Sequence, residues 1–164
     1  MAQQSTHISF VCLGNICRSP TAEGVMRKFV ADANLDQTIR VESAGTSAHH
    51  VGEHADPRAL AAARRRGFDL TSRARRFSPQ DFDRLHFVLA MDADVLRALE
   101  GLPASESFDG HLSLVRDFDP ASLLPSDVPD PYYGGEQGFE DVLDLCEAAC
   151  RGLLEHIQTT PRRK

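Results

Sequence analysis

The chain has 164 residues, 41% of them hydrophobic and 26% charged, and this length and composition predict one soluble globular domain. Its 18 lysine and arginine residues against 24 aspartate and glutamate residues give a net charge of −6, which disfavours general binding to nucleic acid. No run approaches the roughly 18 apolar residues of a membrane span, and the polar N-terminus is unlike a secretory leader.

The first predicted unit is a strand, a loop and a helix. The β-prone run His7–Cys12 stops at a glycine-containing loop, and Ser19-Pro20 is interpreted as an N-cap followed by proline at the first helical position. The helix carries one apolar face, made by Ala22, Val25, Met26, Phe29 and Val30. Alternating apolar and polar residues within Thr38–Ala44 then predict a second strand.

The middle of the chain repeats this alternation of helices and strands. Asp56-Pro57 predicts the start of a helix through Ala59–Arg66, which Gly67 ends. Ser78-Pro79-Gln80-Asp81 carries the same start signal for a short helix. The next run, His86–Met91, is the most hydrophobic strand and is expected at the centre of the sheet.

The C-terminal half is predicted to add two helices, a strand and a long loop. Asp92–Leu99 has a helical pattern, His111–Val115 is a fourth strand, and the last helix runs from about Glu136 to Gln158. The irregular segment Asp117–Gly135 is rich in Asp and Pro, and a loop of this length is usually functional.

Together these elements predict an α/β fold: a single-domain three-layer sandwich, with a central four-stranded parallel sheet and helices on both faces. The domain is expected to span residues 1–164, with residues 1–6 flexible. Ligands of such folds lie at the carboxyl ends of the strands. The loops Cys12–Ser19 and Asp117–Gly135 can both lie at that edge.

The segment from Cys12 to Ser19 has the composition of an anion site. Curled backbone N–H groups and a helix N-terminus can hold a tetrahedral oxyanion, and the same dipoles favour the thiolate form of Cys12. Arg18 can hold two phosphoryl oxygens, and Ser19 can donate a hydrogen bond to the sulfur. The alternative is a buried strand cysteine and a surface arginine, but the strand–loop–helix context favours function.

Four segments of the sequence carry a resemblance to a known family. VCLGNICRSPTAE (11–23) resembles the signature of the low-molecular-weight protein tyrosine phosphatases, and Asp130-Pro-Tyr-Tyr-Gly-Gly135 resembles their general-acid loop. Glu42-Ser-Ala-Gly-Thr46 and the strand end Ala90-Met-Asp92 also match. The resemblance therefore covers essentially the whole chain in order.

The resemblance implies a two-step reaction that needs no metal or cofactor. Cys12 attacks phosphorus to form a cysteinyl-phosphate, Asp130 protonates the leaving phenolate and then activates water, and Arg18 holds the phosphoryl group. It further implies that the substrate is bound by loop and aromatic residues: Leu13, Gly14, Asn15, Ile16, Cys17, Ser19, Tyr132 and Tyr133.

The choice of Asp130 as the acid depends on its context. Two flanking prolines stiffen its backbone and two tyrosines follow, whereas composition alone leaves three rivals: Asp117, Asp119 and Asp127. By the same resemblance, Asn15 and Ser43 brace the phosphate loop through hydrogen bonds.

The sequence departs from the family pattern in two places. A histidine usual near Leu70-Thr-Ser72 is absent, with Ser72 in its approximate place, so the bracing of the loop is expected to differ. Ala48-His49-His50 stands where related phosphatases often carry an aromatic or large aliphatic wall residue. His49, His50 and His54 lack an accompanying acid or cysteine cluster and are interpreted as solvent-exposed rather than as metal ligands.

The four cysteines are too few for a disulfide scaffold in a chain of this length, and they predict reduced thiols in a cytoplasmic protein. Cys17 lies close to Cys12 in sequence, and a reversible disulfide between them under peroxide is a hypothesis. Cys146 and Cys150 share the apolar face of the last helix and are expected to pack there.

Two other function classes fit the sequence less well. A thioredoxin-coupled arsenate reductase of similar fold needs further cysteines, and residues 67–145 contain none. A silent phosphate- or phosphoprotein-binding module would lack Cys12, Arg18 or Asp130, and all three are present.

The expected partner is a phosphotyrosine-containing protein, with a tyrosine kinase as one candidate, and neither nucleic acid nor a membrane is expected to bind. The protein is expected to be a monomer. A basic segment contains Arg64, Arg65, Arg66, Arg73, Arg75 and Arg76, while every charged residue from Asp117 to Glu147 is acidic. We interpret both segments as solvated surface or as partners of each other.

Overall fold

The computed structural model describes residues 5–160. Its elements in chain order are β1 (Thr6–Cys12), α1 (Arg18–Asp32), β2 (Ile39–Gly45), α2 (Pro57–Arg65), a 3₁₀ turn (Pro79–Asp83), β3 (Phe87–Ala90), α3 (Ala93–Glu100), β4 (His111–Leu114), a second 3₁₀ turn (Val115–Phe118) and α4 (Glu136–Thr159). Most of the flexible stretch expected over residues 1–6 lies outside the described residues, and Thr6 already belongs to β1.

The four strands form one parallel sheet in the order β2-β1-β3-β4, which confirms the predicted fold class. Alternate strand residues point to opposite faces, so the sheet separates two cores. Ile8 and Phe10 of β1 pack with α1, α2 and α4, whereas Val11 packs with α3 and the first 3₁₀ turn. Because β1 is central, Cys12 at its carboxyl end lies at the middle of the functional edge.

The predicted start of α1 is wrong by two residues. The helix begins at Arg18, with Cys17 at the N-cap position and no side-chain cap. The Ser19 hydroxyl contacts Cys12 and Asn15 instead of capping the helix. Pro20 is still tolerated, because the first-turn N–H groups of a helix have no intrahelical partner.

The start and end of α2 follow the sequence signals closely. Asp56 is the N-cap and its carboxylate accepts a hydrogen bond from the Arg58 N–H at 2.8 Å. Gly67, just beyond the helix, has φ +83°, a left-handed conformation that glycine adopts at little steric cost. Ser78 and Asp81 form the predicted capping box at the first 3₁₀ turn.

The basic and acidic segments pair where α2 meets α4. Arg66 lies within 2.6–2.8 Å of carboxylate oxygens of Glu140, Asp144 and Glu147. Cys146 and Cys150 are fully buried in α4, as predicted for packing residues. Among residues 5–160, no helix combines the length and apolar composition that a membrane span requires.

A histidine packed against aromatic rings at the opposite edge of the sheet predicts a pH-dependent stability. The His111 ring lies 5.7 Å from Phe87 and 5.1 Å from Phe118 between ring centroids, and the His156 ring contacts the same two phenylalanines. Burial and the nearby charge of His156 lower the pKa of His111 below its ordinary value, with Asp117 opposing the shift.

Because folding lowers this pKa, neutral His111 makes its full contribution to the free energy of unfolding above the unfolded-state pKa of about 6.5. That contribution is lost as the pH falls below this value. We therefore expect that lowering the pH from about 7 to about 5 reduces the thermal midpoint of the His111→Gln variant by less than that of the wild type. The exposed His54→Gln is the matched control and should keep the wild-type pH dependence. An unaltered pH dependence in His111→Gln would contradict this assignment.

Candidate active site

A cleft of about 360 Å³ opens at the carboxyl ends of the strands. Its walls bring together three separated parts of the sequence: the loop after β1, the segment that contains Ser47, His49 and His50, and the Asp130–Tyr133 segment. Cys12, Arg18 and Asp130, the three residues predicted to carry chemistry, all line it.

Cys12 lies at the base of this cleft with donors directed at its sulfur. The Asn15 backbone N–H donates to Sγ at 3.2 Å, and the Ser19 Oγ lies 2.9 Å from Sγ. Ser19 Oγ is also 3.3 Å from the Ala44 carbonyl oxygen, which competes for its single proton. A thiolate at Cys12 would accept that proton at the shorter distance, so this surrounding suits a charged sulfur.

The loop is held in shape by Asn15, which is buried and has a left-handed backbone with φ 58°. Its Nδ2 donates to the hydroxyl oxygens of Ser19 and Ser43, at 2.8 and 2.9 Å. Its Oδ1 accepts from the Arg75 backbone N–H at 3.0 Å. This N–H supplies a bracing contact in the region where the family histidine is missing, and no sequence signal indicated it.

Two neighbours complete the support of the loop. Ser43 donates to the buried carboxylate of Glu23. A Cβ on Gly45 would lie only 2.7 Å from the Leu13 carbonyl oxygen, so this close approach of β2 to the loop requires glycine. Asn15 and Ser19 do not line the cleft, and their side chains make hydrogen bonds that support the loop. Their part in substrate binding stays a prediction.

Asn15→Ala should lower kcat/KM for aryl phosphates by about tenfold or more, because both the left-handed turn and three hydrogen bonds of the loop depend on the amide. Asn34→Ala is a matched control, since Asn34 also has a left-handed backbone, with φ 60°, but is exposed at the end of α1. Steady-state kinetics of both variants should separate the effect of losing the loop's hydrogen bonds from the effect of backbone strain. An equal loss of kcat/KM in the two variants would contradict the role given to Asn15.

Arg18 is 96% buried and is oriented by two acceptors. Its Nη1 donates to Asp92 Oδ2 at 2.6 Å and to the Val128 carbonyl oxygen at 3.1 Å. Burial opposes ionisation, but the nearby Cys12 and the hydrogen bond to Asp92 raise the pKa of Arg18 above its ordinary value. The guanidinium is therefore a permanent positive charge beside the sulfur.

Asp92 belongs to the site, although no role of its own was predicted for it from the sequence. One carboxylate oxygen caps α3 by accepting the Val95 N–H at 2.8 Å, and the other holds Arg18. Its signal in the sequence is an aspartate directly after the most hydrophobic strand, at the start of a helix.

Asp130 faces Arg18 across the cleft. Its Oδ2 lies 3.7 Å from Arg18 Nη2, and its side chain is 46% exposed, which leaves it open to a bound ligand. The rivals are otherwise engaged or remote: Asp119 is buried and accepts the Ala121 N–H, Asp127 accepts the Ala93 N–H, and Asp117 does not line the cleft. Of the four aspartates, only Asp130 reaches the cleft.

The upper walls of the cleft are aromatic. Tyr132 is 37% exposed and contacts the nearly fully exposed Tyr133 edge-on, with 4.9 Å between ring centroids. Across the cleft, the His50 ring lies over Gly14 and 6.5 Å from the Tyr132 ring, and its Nδ1 is 2.6 Å from Glu53 Oε2.

The interpretation of all three histidines as solvent-exposed is wrong for His50, which is half-buried in the cleft wall because its ring covers the glycine of the loop. His49 and His54 are exposed as expected. Within residues 5–160, no group of three or more His, Cys, Asp or Glu side chains is arranged to hold a metal ion.

Cys17 is buried beside the nucleophile position and is not joined to Cys12. Burial, followed by the negative charges of Asp56 and Cys12, raises the pKa of Cys17 to about 12. Cys17 is thus a thiol at neutral pH, and only Cys12 of the pair has the surroundings of a nucleophile. The disulfide between them stays a prediction.

Comparisons with known proteins agree over nearly the whole chain. The family model for low molecular weight phosphotyrosine protein phosphatases matches residues 7–163. A low molecular weight protein-tyrosine-phosphatase of Streptomyces coelicolor is 47% identical over 152 residues, which cover 92% of this chain and 93% of that protein. The low molecular weight phosphotyrosine protein phosphatase of Homo sapiens is 39% identical over 157 residues, covering 94% and 98%.

The fold is also similar to solved structures. A crystal structure of a protein tyrosine phosphatase from Entamoeba histolytica, with Hepes in its active site, has a TM-score of 0.88 and 38% sequence identity. The alignment covers 94% of this chain and 97% of that chain.

Proposed function

Because the chain belongs to the low molecular weight phosphotyrosine protein phosphatase family, we propose that Cys12, Arg18 and Asp130 carry out the hydrolysis of phosphotyrosine in this protein. The protein is a hydrolase of this class. One observation carries the assignment of residues: a sulfur with two hydrogen-bond donors, a buried arginine and a half-exposed aspartate line one cleft.

In the first step, the Cys12 thiolate attacks phosphorus and forms a P–S bond while the bond from phosphorus to the phenolic oxygen breaks. The electron pair leaves with that oxygen, which takes the proton of Asp130 and departs as a neutral phenol. Arg18 has Nη1 tied to Asp92 and Val128, so its Nη2 side faces the cleft and can hold phosphoryl oxygens. The product is a cysteinyl-phosphate.

In the second step, the Asp130 carboxylate removes a proton from water, and the resulting hydroxide attacks phosphorus. The P–S bond breaks, and Cys12 leaves as a thiolate. The Ser19 hydroxyl at 2.9 Å and the Asn15 N–H at 3.2 Å stabilise that thiolate. Inorganic phosphate and the starting enzyme are released.

The walls of the cleft support an aromatic substrate. Tyr132 and His50 provide aromatic surfaces above the phosphate loop against which a phosphotyrosine ring can pack. Leu13, Gly14 and Ile16 complete the lining near its base.

An arsenate reductase of the same fold is not favoured. The relay of such an enzyme needs accessible thiols beyond the first cysteine. Here Cys146 and Cys150 are completely buried in α4, and burial raises the pKa of both.

Phosphoproteins are the substrates that the family implies, and we propose tyrosine kinases among them. We also propose that the protein acts as a monomer, and that it acts in the cytoplasm, where its four cysteines would stay reduced. A pulldown with Asp130→Ala, which should retain bound substrate, tests the choice of partner. If Asp130→Ala recovers no more kinase than the wild-type protein does, the proposal that tyrosine kinases are substrates is contradicted.

The activity itself is tested by comparing matched phosphotyrosine and phosphoserine peptides. We expect hydrolysis of the phosphotyrosine peptide only, full activity in the presence of a chelator, and competitive inhibition by vanadate. Loss of activity on chelation, or equal rates on both peptides, would contradict the proposed function.

A further inference from the structure

The general-acid segment is held firmly on the side that precedes Asp130. The Val128 N–H donates to the Met91 carbonyl oxygen at the end of β3, at 2.7 Å, and the Val128 carbonyl oxygen accepts from Arg18. The Asp127 carboxylate accepts the Ala93 N–H at the start of α3, at 2.9 Å. These contacts fix the approach to Asp130, but they do not reach the residues that follow it.

On the other side of Asp130, the chain is held by side-chain packing against α2 and α4. The Arg58 guanidinium lies 5.5 Å from the centre of the Tyr132 ring and 4.8 Å from that of Phe139 in α4. Pro131 packs near Gly138 at the first turn of α4. Since Tyr132 N–H donates to Asp130 Oδ1 at 3.0 Å, the position of Tyr132 determines the orientation of the carboxylate.

Arg58 is itself fixed to the phosphate loop. Asp56 Oδ1 accepts from both the backbone N–H and Nε of Arg58, and Oδ2 accepts from Nη2 at 2.9 Å. Asp56 is only 8% exposed, and its backbone N–H donates to the Ile16 carbonyl oxygen at 2.7 Å. A continuous series of contacts thus runs from Ile16 through Asp56, Arg58 and Tyr132 to Asp130.

We propose that Arg58 is a positioning residue for the general acid: its guanidinium, fixed by Asp56 to the phosphate loop, holds the Tyr132 ring and thereby the Asp130 carboxylate over the leaving-group oxygen. The proposal rests on the assignment of Asp130 as the acid. A planar guanidinium suits this task, because it pairs with a carboxylate along one edge while its faces stack on aromatic rings.

A merely structural role for Arg58 has a different signature. Arg58 could stabilise only the first turn of α2 through Asp56, and its loss would then lower stability and slow all substrates equally. Loss of positioning should instead slow substrates in proportion to their need for a proton, because p-nitrophenolate leaves readily unprotonated and phenolate does not.

The test is the ratio of kcat/KM for p-nitrophenyl phosphate to that for phenyl phosphate. This ratio does not depend on how much of a preparation is folded, so it remains valid if Arg58→Leu is less stable. We expect Arg58→Leu to raise the ratio about fivefold, a fraction of the effect of a general acid. Arg65→Leu, an arginine of the same helix that pairs with Glu140, should leave the ratio unchanged.

The same substitution in an Asp130→Ala background decides the mechanism. With the acid absent, Arg58→Leu should not raise the ratio further, since there is no carboxylate left to position. An unchanged ratio in Arg58→Leu, or an equal rise in both backgrounds, would overturn the proposal. If Asp130→Ala alone leaves the ratio unchanged, the assignment of the acid fails and the role of Arg58 fails with it.

Discussion

Replacing Cys12 with serine should reduce turnover of every aryl phosphate by more than about a thousandfold. A serine hydroxyl is not ionised at neutral pH, and an alkoxide is a far poorer leaving group from phosphorus than a thiolate. The Ser19 hydroxyl and the Asn15 N–H, which contact Sγ at 2.9 and 3.2 Å, can also contact a serine oxygen. The variant should therefore fold and bind phosphate while turnover is lost.

Cys146→Ala is the matched control for this experiment. Cys146 is a completely buried thiol of the same core cluster, so its truncation should lower the thermal midpoint. It should not change turnover per folded molecule, since Cys146 does not line the cleft. Initial rates and thermal melts of both variants, measured together, separate loss of the nucleophile from loss of packing; rapid turnover by Cys12→Ser would contradict the mechanism.

Removing the carboxylate of Asp130 should have the second-largest effect, and its size should depend on the leaving group. Asp130→Ala should lower kcat/KM for phenyl phosphate and phosphotyrosine peptides by about a hundredfold or more, because the phenolate would leave without a proton. For p-nitrophenyl phosphate the loss should be much smaller. The measurement is kcat/KM over a series of aryl phosphates, whose dependence on leaving-group basicity should steepen.

Asp117→Ala is the control for Asp130, since Asp117 is an exposed aspartate of the same loop that does not line the cleft. We expect wild-type kcat/KM for all substrates in this variant. A uniform loss across the series in Asp130→Ala would show that the carboxylate binds or supports the substrate without donating a proton.

Much of the fold follows from local signals, and these are the parts that the sequence predicted well. The start and end of α2 depend on interactions within that helix and its caps, so the residues that mark them lie in a short stretch of sequence: Asp56, Pro57 and Gly67. The Cys12–Ser19 segment is likewise contiguous, and its chemistry could be inferred from residue types and spacing. Ser19 misled the prediction because its hydroxyl contacts Cys12 and Asn15 instead of capping α1.

The remaining parts of the site depend on contacts between residues far apart in sequence. The pairing of Arg18 with Asp92, and of Arg58 with Tyr132, exists only once β3 and α4 are packed beside the phosphate loop. The choice of Asp130 over its rivals could not be made from composition, because all lie in one Asp- and Pro-rich loop. It required the resemblance, and in the structure Asp130 is the one of them that lines the cleft.

The central claim is that the phosphoryl group passes through Cys12. It is tested most directly by quenching the wild-type enzyme in acid during turnover of p-nitrophenyl phosphate and locating the phosphoryl group by peptide mass spectrometry. We predict a phosphorylated peptide whose only modified residue is Cys12, and its absence from Cys12→Ser treated in parallel. A phosphoryl group on any other residue of the wild type, or turnover with Cys12 unmodified throughout, would contradict the mechanism.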